Sequence, residues 1–170
     1  QTTAVIKGVE SSVNMNSSNE FILPGDQIVA INSTTISDSK DINLELLSYA
    51  GYTGTINLTL KRSDIVDLIN VGILVDDFLP TAESQANPLN DLGVEVEYKM
   101  KPVIGSIIKN GPADKSNLKA NDVIAKIGNT KISYASDIRN AISSVPNQNV
   151  LIDVYRDGDL LQFPVRVGAS

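Results

Sequence analysis

The fold is decided by residues 118–132, which read Leu-Lys-Ala-Asn-Asp-Val-Ile-Ala-Lys-Ile-Gly-Asn-Thr-Lys-Ile. A polar turn at 120–122 precedes a short stretch, 123–127, that is rich in β-branched residues and is typical of a strand. Gly128 and Asn129 tolerate the positive φ angles of a tight turn and reverse the chain. Residues 118–132 therefore predict a β-hairpin.

The same pattern occurs about 96 residues earlier in the chain. A repeat of this length indicates a duplicated domain, because the units of solenoid proteins are only about 20–50 residues long. The match covers the hairpin and continues into the helix predicted after it. The corresponding residues are Asp26 and Asp122, Ile28 and Ile124, Ile31 and Ile127, Ile36 and Ile132, Ile42 and Ile138, and Leu46 and Ile142.

The repeat divides the 170 residues into two small domains. We place the first domain at residues 1–79, a linker at 80–88 and the second domain at 89–170, because a stretch with prolines and few apolar residues separates the two halves. Each half contains five or six predicted strands and two predicted helices. The expected fold class is α+β, mainly β, with two small, partly open β-barrels capped by helices.

Composition excludes several classes of function. The net charge is −6, from 14 basic and 20 acidic residues, and no basic stripe interleaves with aromatic residues, which argues against nucleic-acid binding. The absence of histidine and cysteine removes the commonest metal ligands and the commonest acid–base group. No apolar run approaches the 18 residues of a membrane span. Since Gln1 leads directly into strand-like sequence, we interpret the chain as part of a longer polypeptide.

Residues 103–105 (Val-Ile-Gly) and 110–124, which begin Asn-Gly-Pro-Ala-Asp, resemble the signature of bacterial PDZ domains. The second half departs from that signature at Asn117 and at Ala120-Asn121, where the family usually has glycine. The first half matches only from Pro24-Gly25-Asp26 onward. The resemblance implies two PDZ domains in tandem.

The best match among tandem PDZ proteins is the periplasmic region of a site-2 protease of the RseP type, an intramembrane zinc metalloprotease. Residues 76–80 and 90–94 are similar to its acidic linker and to the start of its second PDZ domain. HtrA-type serine proteases also carry two PDZ domains, and a PDZ scaffold outside any protease is a third alternative. The sequence upstream of Gln1 separates them, since a serine protease needs Gly-x-Ser-Gly and a zinc protease needs His-Glu-x-x-His.

A PDZ groove lies between a strand and a helix, and a peptide joins it as an extra strand whose terminal carboxylate binds backbone N–H groups. The resemblance implies a groove in the second domain and, with a weaker pattern, one in the first. Asp91 would repel an anionic terminus beside this nest of N–H groups. The implied residues are Asp91, Leu92, Gly93, Val94, Val96, Ile138, Ala141, Ile142 and Val145 in the second domain, and Ile42, Leu46 and Tyr49 in the first.

The RseP resemblance implies a non-catalytic region, with no catalytic residue and no cofactor, on the periplasmic side of an inner-membrane protein. Zinc would reside in the membrane part of the parent protease. The expected partners are transmembrane substrates, such as an anti-sigma factor or a signal peptide, and a peptide C-terminus. The region would screen substrates either as a size filter or by binding that C-terminus, and the position of Asp91 favours the filter. Lys131 and Ser133 are close together, but a catalytic serine–lysine dyad needs a strained, exposed serine. We therefore interpret these two residues as part of a hairpin edge.

Overall fold

The protein is described by a computed structural model over residues 1–15, 21–105 and 116–168. The chain divides into two compact units, Gln1–Lys99 (unit 1) and Met100–Ser170 (unit 2). The elements of the first sheet and its helices are β1 Thr2–Val9, β2 Gln27–Ile31, β3 Thr34–Thr35, α1 Lys40–Leu47, β4 Gly54–Lys61, β5 Ile69–Val75, α2 Ala82–Ala86, α3 Pro88–Leu92 and β6 Val94–Met100. The remaining elements are β7 Val123–Ile127, β8 Thr130–Lys131, α4 Ala135–Ser143, β9 Asn149–Arg156 and β10 Asp159–Arg166.

Unit 1 is a twisted sheet with strand order β5-β4-β2-β1-β6, and β3 pairs with β2. Alternate residues of β4, namely Ile56, Leu58 and Leu60, are completely buried, as expected for a strand with one face on the core. The sheet does not close into a barrel. Instead, the Leu74 N–H donates to the carbonyl of Asn14 at 2.8 Å, so that the segment after β1 covers part of the β5 edge.

Unit 2 is a sheet of order β10-β9-β7-β8 within the described residues. The hairpin predicted from residues 118–132 is confirmed, since Ile127 pairs with Thr130 across the turn. The tight turn after β9 has positive φ at both Asp157 (53°) and Gly158 (85°), the conformation that joins twisted antiparallel strands. The Gly-Pro-Ala turn at 111–113, which supported the PDZ resemblance, lies outside the described residues.

The departures from the PDZ signature have a backbone explanation. Asn117 has a φ of 69° and Asn121 a φ of 74°, both in the left-handed region. Gly25, which precedes Asp26 as Asn121 precedes Asp122, has a φ of 96°. Asparagine is the residue after glycine that best tolerates this conformation. Two asparagines therefore preserve a turn that glycine forms elsewhere.

The strand that follows β4 begins later than expected. The sequence pattern predicts a strand over 65–71, whereas β5 spans Ile69–Val75. The register explains the difference, since Val71 and Ile73 lie opposite Leu58 and Ile56 and share their buried face. The apolar residues of the intervening loop, including Val66 at 99% exposure, contribute nothing to that core.

The division between the units lies at residues 99–100, later than the expected boundary at 80–88. The expected linker instead contains α2 and the start of α3, and α2 is capped by the Thr81 hydroxyl, which accepts from Ser84 N–H at 3.1 Å. The physical cause is the burial of apolar side chains, since Leu89, Leu92 and Val94 lie in the core of unit 1. Residues 88–99 thus belong to unit 1 by their contacts.

A buried carboxylate–guanidinium pair recurs in both units, and the sequence patterns above do not include its arginines. Asp26 is 1% exposed and binds Arg62 through two hydrogen bonds of 2.8 Å. Asp122, also 1% exposed, binds Arg156 in the same way, and it accepts the Lys119 N–H at 2.9 Å. The Arg156 guanidinium holds the pKa of Asp122 below its ordinary value. The sequence signal that could have revealed this pair is an arginine at the end of a strand in each half, Arg62 and Arg156.

Candidate functional site: a strand edge and two helix faces

The strand of the candidate groove is β6, which lies at the edge of the first sheet within the described residues. Its start is set by α3, where Pro88 occupies the first turn and Gly93 ends the helix with a φ of 90°. The Gly93 N–H donates to Asn90 at 3.0 Å, and its carbonyl accepts the Glu10 N–H at 2.9 Å. These bonds fix the entry of β6 beside β1.

Replacing Gly93 by alanine should lower the free energy of unfolding of unit 1 by about 2 kcal/mol. An added Cβ would clash with the Cγ2 of Val13, and the left-handed backbone adds strain for any L side chain. Gly158→Ala is the matched control, because Gly158 also has a positive φ but has nothing within 4 Å of the added atom. Urea denaturation of both variants measures the difference. Equal losses would show that the contact with Val13 is unimportant.

The backbone nest expected at residues 91–93 is largely occupied. The Asp91 N–H donates to Asn87 at 3.2 Å, and the Gly93 N–H is bound within α3 as described. The Asp91 carboxylate accepts a long hydrogen bond of 3.4 Å from the Leu79 N–H. These donors are therefore not free to bind the carboxylate of a ligand in this conformation.

The surroundings of the nest are acidic. A shallow cavity of about 320 Å³ lies between the segment after β1, the end of β5 and the start of β6. Four carboxylates line it, from Glu10, Asp76, Asp77 and Asp91. Like charges repel an incoming anion. The structure thus strengthens the expectation, drawn from Asp91 alone, that an anionic terminus is disfavoured here.

The helix face expected in the first domain belongs to the core of unit 1. Ile42 and Leu46 of α1 are completely buried. Tyr49 is half-buried and packs edge-on against Tyr52, with ring centroids 5.7 Å apart. Of the three expected wall residues, only Tyr49 is accessible to a ligand.

The helix face expected in the second domain is more open. Ala141 is buried and Ile138 and Val145 are half-buried, whereas Ile142 is 38% exposed. These residues lie in unit 2, while the strand residues 91–96 lie in unit 1. The structure therefore places the expected strand and the expected helix of the second groove in different units. Within unit 1 it brings residues 91–96 together with α1 instead.

The described residues hold neither a cluster of potential metal ligands nor a helix that could span a membrane. Over residues 1–15, 21–105 and 116–168, no group of three or more acidic, histidine or cysteine side chains is arranged to hold a metal ion. In the same part of the chain, no helix is both long and apolar enough to cross a membrane.

Comparison with known proteins identifies a PDZ domain in the chain. Residues 90–167 match the family model described as PDZ domain. The fold class expected from the sequence is confirmed: the chain is mainly β, and its two open sheets fit two PDZ-like domains in tandem. A PDZ domain by itself is non-catalytic.

The most similar relatives include serine proteases that align with nearly the whole chain. A probable periplasmic serine endoprotease, DegP-like, of Chlamydia pneumoniae is 27% identical over 95% of this chain and 32% of its own length. A serine protease, Do-like HtrA, of Lactococcus lactis subsp. cremoris is 24% identical over 96% of this chain and 43% of its own length. The chain spans about a third of the length of the chlamydial relatives.

These alignments correct the function expected from the RseP resemblance. A putative zinc metalloprotease of Ralstonia nicotianae is 32% identical, but over only 39% of this chain and 14% of its own length. A single PDZ domain accounts for a match of that extent. Serine proteases of Chlamydia, Lactococcus and Haemophilus align through both halves of the chain, and the expectation of an RseP-type periplasmic region was therefore wrong.

Proposed function

We propose that this chain is the non-catalytic PDZ region of an HtrA-type serine endoprotease and that it binds extended polypeptide. The observation that carries the proposal is the alignment of serine proteases with 89–96% of the chain. The rest of each relative's length leaves room for a catalytic domain outside this chain. The chlamydial relatives are described as periplasmic, which supports a periplasmic location for this chain. The proposal does not extend to anchoring in the inner membrane, which was expected only from the resemblance to a zinc protease.

The gene sequence encoded before Gln1 tests the protease class. We expect a soluble domain with the motif Gly-x-Ser-Gly, because an exposed serine at such a turn is the nucleophile that acyl transfer requires. A His-Glu-x-x-His motif in an apolar segment would contradict the proposal. So would the absence of both motifs, which would indicate a PDZ scaffold outside any protease.

The proposed binding mode is the addition of a peptide strand to the outer edge of β6. An edge strand presents unpaired backbone N–H and C=O groups that an extended chain can pair with. The exposed side chains of this edge include Glu95 and Glu97, which form long ion pairs with Lys7 at 3.6 Å and Lys99 at 3.4 Å. Such surface ion pairs contribute little to stability, so a ligand can displace them at small cost. With the acidic cavity alongside, the edge favours neutral or basic segments over a free C-terminus.

Titration calorimetry with one apolar peptide in two forms should show saturable binding that is not improved by a free carboxylate. The forms differ only in their last group, a carboxylate or an amide, and we expect the amide to bind at least as tightly because it escapes repulsion by the cavity. A dissociation constant near 10 μM, about −7 kcal/mol, is typical of such grooves. Amide shifts in the NMR spectrum should change along residues 94–100. Tighter binding of the free acid, or changes confined to unit 2, would contradict this mode.

A further inference from the structure

The loop between β4 and β5, residues 62–68, carries apolar side chains on the surface of unit 1. Ile65, Val66 and Leu68 are 45%, 99% and 54% exposed. The corresponding hairpin of unit 2 is closed by a turn of two residues, 157–158. Joining these strands therefore requires neither a longer loop nor its apolar residues. Apolar side chains that cluster on a surface indicate an interaction site.

The loop is fixed at its base. The Ile65 N–H donates to the Arg62 carbonyl at 3.3 Å, and Asp64 has a φ of 67°, so that residues 62–65 form a tight turn. Arg62 itself binds the buried carboxylate of Asp26 and donates to the Phe21 carbonyl at 2.8 Å. Phe21 is 58% exposed. Arg62 thus joins the backbone of a further exposed apolar residue to the base of the loop.

The loop lies at the same end of the first sheet as the start of β6. Lys61 of β4 pairs with Gln27 of β2, and Gln27 pairs with Val5 of β1. Beyond this row β4 runs into the loop, and β1 runs in the same direction to Glu10, whose N–H donates to the carbonyl of Gly93, just before β6. Three strand spacings separate β4 from β6 in the order β4-β2-β1-β6, which is about 14 Å across the sheet.

This end of the sheet is acidic. Asp64 and Asp67 outnumber Lys61 at the loop, where Arg62 is already paired with Asp26. The cavity beside the start of β6 adds carboxylates. Charge complementarity therefore favours an occupant with basic groups beside its apolar ones. The same carboxylates repel the anionic headgroups of a lipid surface.

We propose that the loop 62–68 is a second contact for the extended polypeptide that joins β6, and that it selects segments in which apolar residues alternate with lysine or arginine. The apolar tip buries Val66 against the segment, while Asp64 and Asp67 pair with its basic side chains. About five extended residues span the distance from β6. Two linked contacts raise the overall affinity, because the second forms within the same complex. This inference rests on the proposed binding of polypeptide at β6.

Titration calorimetry of the full chain with an extended peptide tests the second contact. The amide form of the apolar peptide receives a tail of about six residues of alternating lysine and valine. The tail is placed at the amino end in one peptide and at the carboxyl end in another, because the added strand can run in either direction along β6. We expect the tail at one end only to tighten binding about tenfold, and glutamate in place of lysine to remove that gain.

Val66→Ser should abolish the gain and leave the binding of the peptide without a tail unchanged, since Val66 is fully on the surface and lies outside β6. Leu44→Ser is the matched control. Leu44 is also exposed, at 72%, but it lies on α1, which follows Ser39, whose N–H donates to Thr2 at the opposite end of β1. This control should keep the whole gain.

A gain that survives in Val66→Ser, or one that is equal for both tails, would overturn the inference and indicate unspecific attraction to a chain of net charge −6. Binding without any gain would overturn this inference alone, whereas a peptide without a tail that fails to bind would overturn the proposed contact at β6 and this inference with it. Flotation with phosphatidylglycerol vesicles that is lost in Val66→Ser would assign the loop to a lipid surface and would also overturn the inference.

Discussion

Replacing Leu92 by alanine should lower the free energy of unfolding of unit 1 by about 3 kcal/mol and leave unit 2 unchanged. Leu92 is 3% exposed and lies in the core of unit 1 with Leu46 and Val94. Truncation removes buried methyl groups and leaves a cavity that neighbouring side chains fill only in part. The loss falls on unit 1 although Leu92 lies inside the stretch that matches the PDZ family with unit 2.

Urea denaturation followed by amide exchange separates the two units, because the amides of β4 report on unit 1 and those of β9 on unit 2. Met100→Ala provides the control, since Met100 lies in the same segment at 65% exposure and its loss should cost little. Loss of protection in β9 with β4 unaffected would assign the segment to unit 2 and contradict the observed division.

Replacing Asp122 by asparagine should lower the free energy of unfolding of unit 2 by about 2 kcal/mol at neutral pH. The carboxylate is almost fully buried and makes two hydrogen bonds of 2.8 Å to Arg156. Asparagine keeps the shape and the bond from the Lys119 N–H but loses the charge. Asp159→Asn is the matched control, because Asp159 is an exposed residue of the neighbouring strand.

The same variant should change the acid sensitivity of unit 2. The pKa of Asp122 is lowered in the folded state by the Arg156 hydrogen bonds. A lowered folded pKa stabilises the protein above the unfolded value, near 4 for an aspartate, and this stabilisation is lost as the pH falls through the folded value. Wild-type unit 2 should therefore lose stability below about pH 4, and Asp122→Asn should flatten that part of the curve. Denaturation at a series of pH values measures both slopes. Parallel curves would show that the pair does not control the acid response.

The hairpins were predictable because short-range chemistry decides them. Asp157-Gly158 and Gly128-Asn129 place residues that tolerate positive φ between β-branched strands, and such turns form with little help from distant residues. The duplicated pattern was equally visible, since Asp26 and Asp122 open the same strand in both halves. Side-chain alternation then fixed which face of each strand is buried.

The protease class could not be read from the PDZ signature, because that signature describes the turn and strands of a binding fold and no reacting group. Asp122, for example, forms a buried pair with Arg156 and carries no catalytic chemistry. The extent of alignment with serine proteases, over both halves, carried information that the motif did not.

The chain's own sequence determined the two-fold repeat, the mainly β character, the hairpin turns and the core-facing residues, since each depends on neighbours a few positions away. Only the tertiary structure decided the partner of residues 88–100. Leu89, Leu92 and Val94 fit the helix of either half by pattern, and periodicity shows which face of a segment is apolar without showing what covers it. The choice of unit 1 depends on contacts with Glu10 and Leu46, which lie far away in sequence.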